Sequence, residues 1–115
     1  MRSRSVRRYW RGSIRAVAHR IRYARPTEQH LAHLSPIQQK AVLDAVDRQL
    51  TNQPTVQTKN RKRMRPNPLA TWELRVGKLR AYYDVLTDQE ATVLVVAVGV
   101  KERSTLRIGG EVVTL

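Results

Sequence analysis

The stretch from Trp72 to Leu86 concentrates side chains that could hold an anion and move a proton. Glu73, Arg75, Arg80, Tyr82 and Asp84 alternate with apolar residues on either side of Gly77-Lys78. That dipeptide suits a two-residue primed turn, since glycine accepts a positive φ at the first turn position. With this turn, Val76 pairs with Leu79, Arg75 with Arg80, Leu74 with Ala81, Glu73 with Tyr82 and Trp72 with Tyr83. Side chains alternate across a strand, so Trp72, Leu74, Val76, Leu79, Ala81, Tyr83 and Val85 share one face and the five polar residues share the other. Two arginines directly opposite each other repel by about a few tenths of a kcal/mol, a cost that vanishes when a phosphate or carboxylate lies between them. The pattern therefore reads as an anion site, or as a surface ion network in which Glu73 and Asp84 neutralise the arginines.

A second cationic feature precedes the hairpin. Between Thr51 and Thr71 no period is visible, and Lys59, Arg61, Lys62, Arg63 and Arg65 place five cations within seven residues. A long basic loop inside a small domain suggests nucleic-acid contact. Those five residues, with Tyr82 on the polar hairpin face, are the candidate nucleic-acid-binding set. The whole chain carries a formal charge of +13 over 115 residues, a field that attracts phosphate polymers, acidic proteins or anionic lipid before any specific contact forms. Gly-rich phosphate loops, zinc motifs and a Ser-His-Asp arrangement are not legible, and His30 and His33 read as plain helix residues, so neither a metal nor a cofactor is expected.

Elements that could position these groups follow from the rest of the chain. The length and 41% hydrophobic content fit a single domain over residues 19–115, preceded by a basic extension over 1–18. Nine arginines and no acid lie in the first 25 residues, which reads either as a basic arm with Tyr9 and Trp10 able to stack on bases, or as a poorly ordered extension. Alternation predicts a short strand from about His19 to Arg25, ended by Pro26. Thr27 is expected to cap a short helix through Leu34. Ser35-Pro36-Ile37-Gln38 is a stronger start, with serine as N-cap, proline at the first helical position and glutamine completing a capping box. Ile37, Ala41, Val42, Ala45, Val46 and Leu50 then follow a helical period. Strands at Trp72 to Val76, Leu79 to Leu86 and Thr92 to Val98 come next, and Gly109-Gly110 could turn a last short hairpin. Early helices and a late antiparallel sheet indicate an α+β domain, its N-terminal helical hairpin packed on one sheet face and the other face open. The longest apolar run, Val93 to Val98, is too short to span a membrane, and the absence of cysteine suits a reducing cytoplasm.

The order of two helices, a basic loop, Trp72-Glu-Leu-Arg-Val-Gly-Lys-Leu-Arg-Ala-Tyr-Tyr-Asp-Val85 and Val95-Val-Ala-Val-Gly-Val-Lys101 resembles the RelE/ParE toxin superfamily. The resemblance covers roughly Ile21 to Arg107 and implies the toxin of a type II toxin-antitoxin system, bound as a hetero-oligomer to an acidic antitoxin. RelE-type members cleave messenger RNA on the ribosome, whereas ParE-type members act on DNA gyrase without RNA cleavage. Carried over by position, Arg80 matches the sheet arginine of the nucleases, Arg75 stands where lysine is common, and Lys101 stands where arginine often follows Val-Gly. Glu73 replaces a frequent lysine and Arg107 stands where a late tyrosine is expected. Arg107 has too high a pKa to serve as a base. The resemblance thus implies a catalytic set in which Glu73 takes a 2′-OH proton, Arg75 and Arg80 hold the phosphorane, and Lys101 or Arg107 steadies the leaving oxygen. The expected function is a ribosome-dependent endoribonuclease that inhibits translation. A gyrase-directed toxin and a non-toxic nucleic-acid-binding protein are the alternatives.

Overall fold

The structure, a computed structural model, describes residues 18–87 and 90–115. The basic extension expected over 1–18 thus lies, except for Ala18, outside the described residues. A short strand β1 (Arg20–Tyr23) leads into helices α1 (Pro26–Ala32) and α2 (Pro36–Leu50). Six further strands follow: β2 (Arg61–Arg63), β3 (Trp72–Val76), β4 (Leu79–Leu86), β5 (Thr92–Glu102), β6 (Thr105–Ile108) and β7 (Glu111–Val113). They form one sheet in the order β2-β3-β4-β5-β6-β7, antiparallel throughout, with β1 added in parallel to the first residues of β5.

Local chemistry explains most of these boundaries. Ser35 caps α2 with both halves of the capping box, its hydroxyl accepting from the Gln38 N–H and its own N–H donating to Gln38 Oε1. Thr27 does not cap α1. Arg25 occupies the N-cap position, and Thr27 lies inside the helix, buried, with its hydroxyl donating to Ala24 O at 2.6 Å. On α2 the buried stripe is Val42, Ala45, Val46 and Leu50, whereas Ile37 in the first turn is 83% exposed.

The hairpin has the register that Gly77-Lys78 predicts, from Val76 opposite Leu79 to Trp72 opposite Tyr83, with Gly77 at φ 61°. The helix-facing core gathers Trp72, Leu74, Leu79, Ala81 and Tyr83 with Leu50, Val46 and Val42 of α2. Trp72 and Tyr83 stack at 6.2 Å between ring centroids, and the Tyr83 hydroxyl donates to Pro54 O at 2.6 Å. That bond ties the chain after α2 to the sheet.

The opposite face is not open along its whole length. Tyr82, Ala97, Leu106, Ile108 and Ala70 form a second, smaller core, flanked by Met64, Leu69, Val96 and Val113. A bulge makes this possible: the β4–β5 register steps from Tyr82 opposite Ala97 to Tyr83 opposite Val95, leaving Val96 as the extra residue. The continuous apolar run of β5 thereby serves both cores, Val93, Val95 and Val98 on the helix side and Val96 and Ala97 on the other.

The segment Thr51 to Thr71 also departs from a plain loop. Arg61–Arg63 pairs with β3 as the edge strand β2, with Arg61 opposite Leu74 and Arg63 opposite Trp72. Loop periodicity was hidden because the strand is only three residues long and wholly cationic.

Gly99 marks the closest strand approach. A Cβ there would lie 2.4 Å from Arg107 O and 2.9 Å from Ile108 Cγ1. Gly99→Ala therefore forces β5 and β6 apart, and urea unfolding is expected to show a loss of about 1–3 kcal/mol. Wild-type stability in that variant would mean that the two strands can separate without cost.

Candidate anion-binding site on the sheet

β3 and β4 deliver Glu73, Arg75 and Arg80 to one face, and the opposed arginines find their counter-charge within the chain. Glu73 Oε1 lies 2.8 Å from Arg75 Nε and Glu73 Oε2 lies 3.9 Å from Arg80 Nε. One buried carboxylate thus sits between two guanidinium groups. Arg80 is further committed to the turn, its Nη1 donating to Gly77 O at 2.7 Å and Leu79 O at 2.9 Å. Its buried Nε makes no hydrogen bond. Asp84 takes no part in neutralising them and accepts the Thr71 N–H instead, at 2.8 Å.

Glu73 borders two clefts. The larger, about 640 Å³, is lined by Lys62, Arg63, Met64, Arg65, Arg75 and Leu115 among others. The smaller, about 290 Å³, adds Tyr82, Lys101, Ser104 and Leu106. Glu73, Arg75 and Lys101 are thus brought together, with Lys62 and Arg65 as the contribution of the basic segment. The arrangement can hold an extended anion along a cationic rim; its buried carboxylate is already answered.

Several expected members lie elsewhere. Arg107 pairs with Val100 in the β5–β6 register, which sends its side chain to the helix side of the sheet, into a separate cleft with His30 and His33. It cannot steady a leaving group beside Arg75. Tyr82 is 1% exposed, so its ring packs in the second core and cannot stack on a base. Burial first, then the negative charge of Glu73, push its hydroxyl well above the ordinary phenol range, with Arg80 and Arg75 pulling partly back. Arg61 is buried too, its Nε donating to Val56 O at 2.9 Å and its Nη1 to Gln49 O at 3.0 Å, which makes it a brace between α2 and the following chain. Arg63 lies over the Trp72 ring at 5.9 Å, although it also borders the larger cleft. Lys59 is exposed beyond the strand edge and lines neither cleft.

These placements share one cause. Once Arg61 pairs with Leu74, strand alternation sends Arg61 to the helix side and Lys62 to the Glu73 side, while Arg63 at the strand end both covers Trp72 and borders the larger cleft.

Residues 21–104 match the family of ParE toxins of type II toxin-antitoxin systems, parDE. The chain belongs to that family. Its fold is similar to a chain in the crystal structure of the toxin-antitoxin complex RelBE2 from Mycobacterium tuberculosis, with a TM-score of 0.63 at 24% identity over 74% of this chain and 100% of that one. No curated protein matches the chain. The ParE family match covers the hairpin, the helices and β5, and it includes every residue of the Glu73 cluster but not Arg107.

Asn67 was missed as a site residue. Its Nδ2 donates to Arg65 O and Ala70 O while its Oδ1 accepts from the Leu69 and Ala70 N–H groups. These four bonds fold the loop that carries Met64 and Arg65 over the sheet, and the bracketing Pro66 and Pro68 were the available signal. No cluster of histidine and acidic side chains suited to a metal occurs among the described residues.

Replacing Glu73 by Gln removes the shared counter-charge and leaves Arg75 and Arg80 in direct opposition. Chemical denaturation should then show a loss of about 1–3 kcal/mol in chloride buffer. The deficit should shrink in phosphate at matched ionic strength, because an external anion can take the place of the carboxylate. A variant as stable as wild type in chloride would remove Glu73 from the role of neutralising group.

Proposed function

We propose that this ParE-family toxin disables its target by binding it through the cationic rim around Glu73, without cleaving RNA. DNA gyrase is the target that ParE-type action implies. An acidic antitoxin would restrain the toxin by lying along Lys62, Arg65, Arg75 and Lys101 and supplying the missing negative charge. Such a pair would be a hetero-oligomer; no helix among the described residues is long and apolar enough to cross a membrane.

The observation that carries this reading is the engagement of Glu73 by both arginines. A general base must be able to accept a proton within reach of the substrate. The Glu73 carboxylate faces two guanidinium groups instead, the Tyr82 phenol is buried and held protonated, and Arg107 lies across the sheet. Cations remain at the rim, and cations suffice for binding.

Messenger RNA cleavage on the ribosome is the second reading, favoured by the shared cleft of Glu73, Tyr82 and Lys101. It requires an incoming phosphate to displace the carboxylate from Arg75 and so release Glu73 as a base for a 2′-OH.

Induced expression in a bacterial host, with growth, plasmid supercoiling and message ends followed together, separates the readings. Growth arrest with loss of supercoiling and unchanged message ends is expected, and a double variant carrying Arg75→Ala and Lys101→Ala should grow. New ends within translated messages that disappear in Glu73→Ala would replace binding by nuclease action. Normal growth on wild-type induction would overturn both.

A further inference from the structure

The cleft on the helix side that receives Arg107 is chemically unlike the rest of that face. It measures about 230 Å³, room for a phosphate group and several waters at roughly 30 Å³ per water. His30 and His33 of α1, Gln38 of α2, Arg107 of β6 and the Gly109-Gly110 turn converge on it. The glycines are required there twice over. Both have positive φ, 61° and 82°, and a Cβ on them would lie 3.2 Å from the His30 ring and 2.9 Å from the His33 ring. The turn is thus packed directly onto the two imidazoles.

Hydrogen bonds outside the cleft decide what each group presents inside it. The Val98 N–H donates to His30 Nδ1 at 3.3 Å, so the neutral ring carries its proton on Nε2. His33 Nδ1 lies 3.0 Å from Gln29 O, and since a carbonyl only accepts, Nδ1 carries a proton and Nε2 can take a second one without losing that bond. Gln38 Oε1 is used by the Ser35 N–H, which leaves its amide NH₂ as donor. Arg107 makes no ion pair among the described residues. The one acid in the lining, Glu102, is paired with Lys78 Nζ at 3.1 Å. The cleft therefore presents donors from His30, Gln38 and Arg107, joined by His33 Nε2 when that ring is protonated, and its single negative charge is already paired.

We propose that this cleft binds a phosphate group, as a second anion site independent of the Glu73 rim on the opposite sheet face. A tetrahedral phosphate offers terminal oxygens in several directions, matching donors that arrive from α1, α2 and β6. A carboxylate offers two coplanar oxygens and would leave part of the set unmet. The phosphate comes from a nucleic-acid backbone or from a free nucleotide or phosphate ion. The field of a chain of net charge +13 favours either.

The test is NMR of the full chain, following the imidazole resonances while inorganic phosphate, a short oligonucleotide, a glutamate-rich peptide or sodium chloride is added at matched ionic strength. Burial and the neighbouring His33 lower the His30 pKa from its ordinary value, and a bound phosphate should move its titration midpoint up by about one unit. His30 and His33 resonances should shift together. His19, bonded to Thr51 O away from the cleft, is the internal reference. Arg107→Gln, in a variant whose thermal unfolding matches wild type, should weaken the phosphate response at least about tenfold, a differential of roughly 1.4 kcal/mol. Saturation by oligonucleotide below the phosphate concentration required assigns the site to nucleic acid, and the reverse order assigns it to a free phosphate; both support the proposal. Equal responses to chloride and phosphate, a response only to the acidic peptide, or an undiminished response in Arg107→Gln would each overturn it.

Discussion

Sidedness in this protein depends on the two-residue turn at Gly77-Lys78. A primed turn with glycine at positive φ matches the twist of the flanking strands, and it sets which residues of β3 and β4 face the helices. Slippage of one strand by one residue would invert that strand alone, bringing Glu73 into the helix-facing core and expelling Trp72 on β3, or exchanging Tyr82 and Tyr83 in the same way on β4. The stacking of those two rings, and the buried bond from Tyr83 to Pro54, reinforce the same register from the core side. β2 pairs with β3, β5 with β4 and β6 with β5, so the parity set at the turn reaches Arg61 and Arg107 only through these longer-range pairings.

The register also creates a local conflict, two arginines face to face, and Glu73 resolves it. A carboxylate removed from water and placed between two guanidinium groups stabilises the sheet face, but the same contacts oppose its acting as a base. Chemistry and structure compete for one group. With Tyr82 absorbed into the second core, the face retains positive charge at its rim and loses proton-transfer partners at its centre. That balance suits recognition of an acidic surface, and the family to which the chain belongs pairs such toxins with antitoxins.

The second core has a further consequence for where the positive charge can act. The loop held by Asn67 and the β6–β7 hairpin cover the middle of the sheet face, leaving clefts at either side of Glu73 instead of one open floor. Arg107 and the two histidines occupy the other side of the sheet, behind the Gly109-Gly110 turn. Among the described residues, cations therefore line clefts on both faces of the sheet.

Local interactions were legible in the amino-acid order alone: the capping box at Ser35, the primed turn and hairpin register, the alternation of β3 and β4, and the late glycine turn all involve residues within a few positions of each other. Those same features sufficed to place Glu73, Arg75 and Arg80 on one face. What the order of residues left open was long-range. Pairing of Arg61–Arg63 with β3, the bulge at Val96, the second core over Tyr82 and the turn of Arg107 to the helix side each depend on contacts between segments far apart in sequence. Composition determined that this protein carries a strong positive field, one that attracts anions. Only the tertiary structure decided which cations remain available to meet them, because strand parity and burial assign each side chain to a surface, a core or a partner, and none of these is a property of the residue itself.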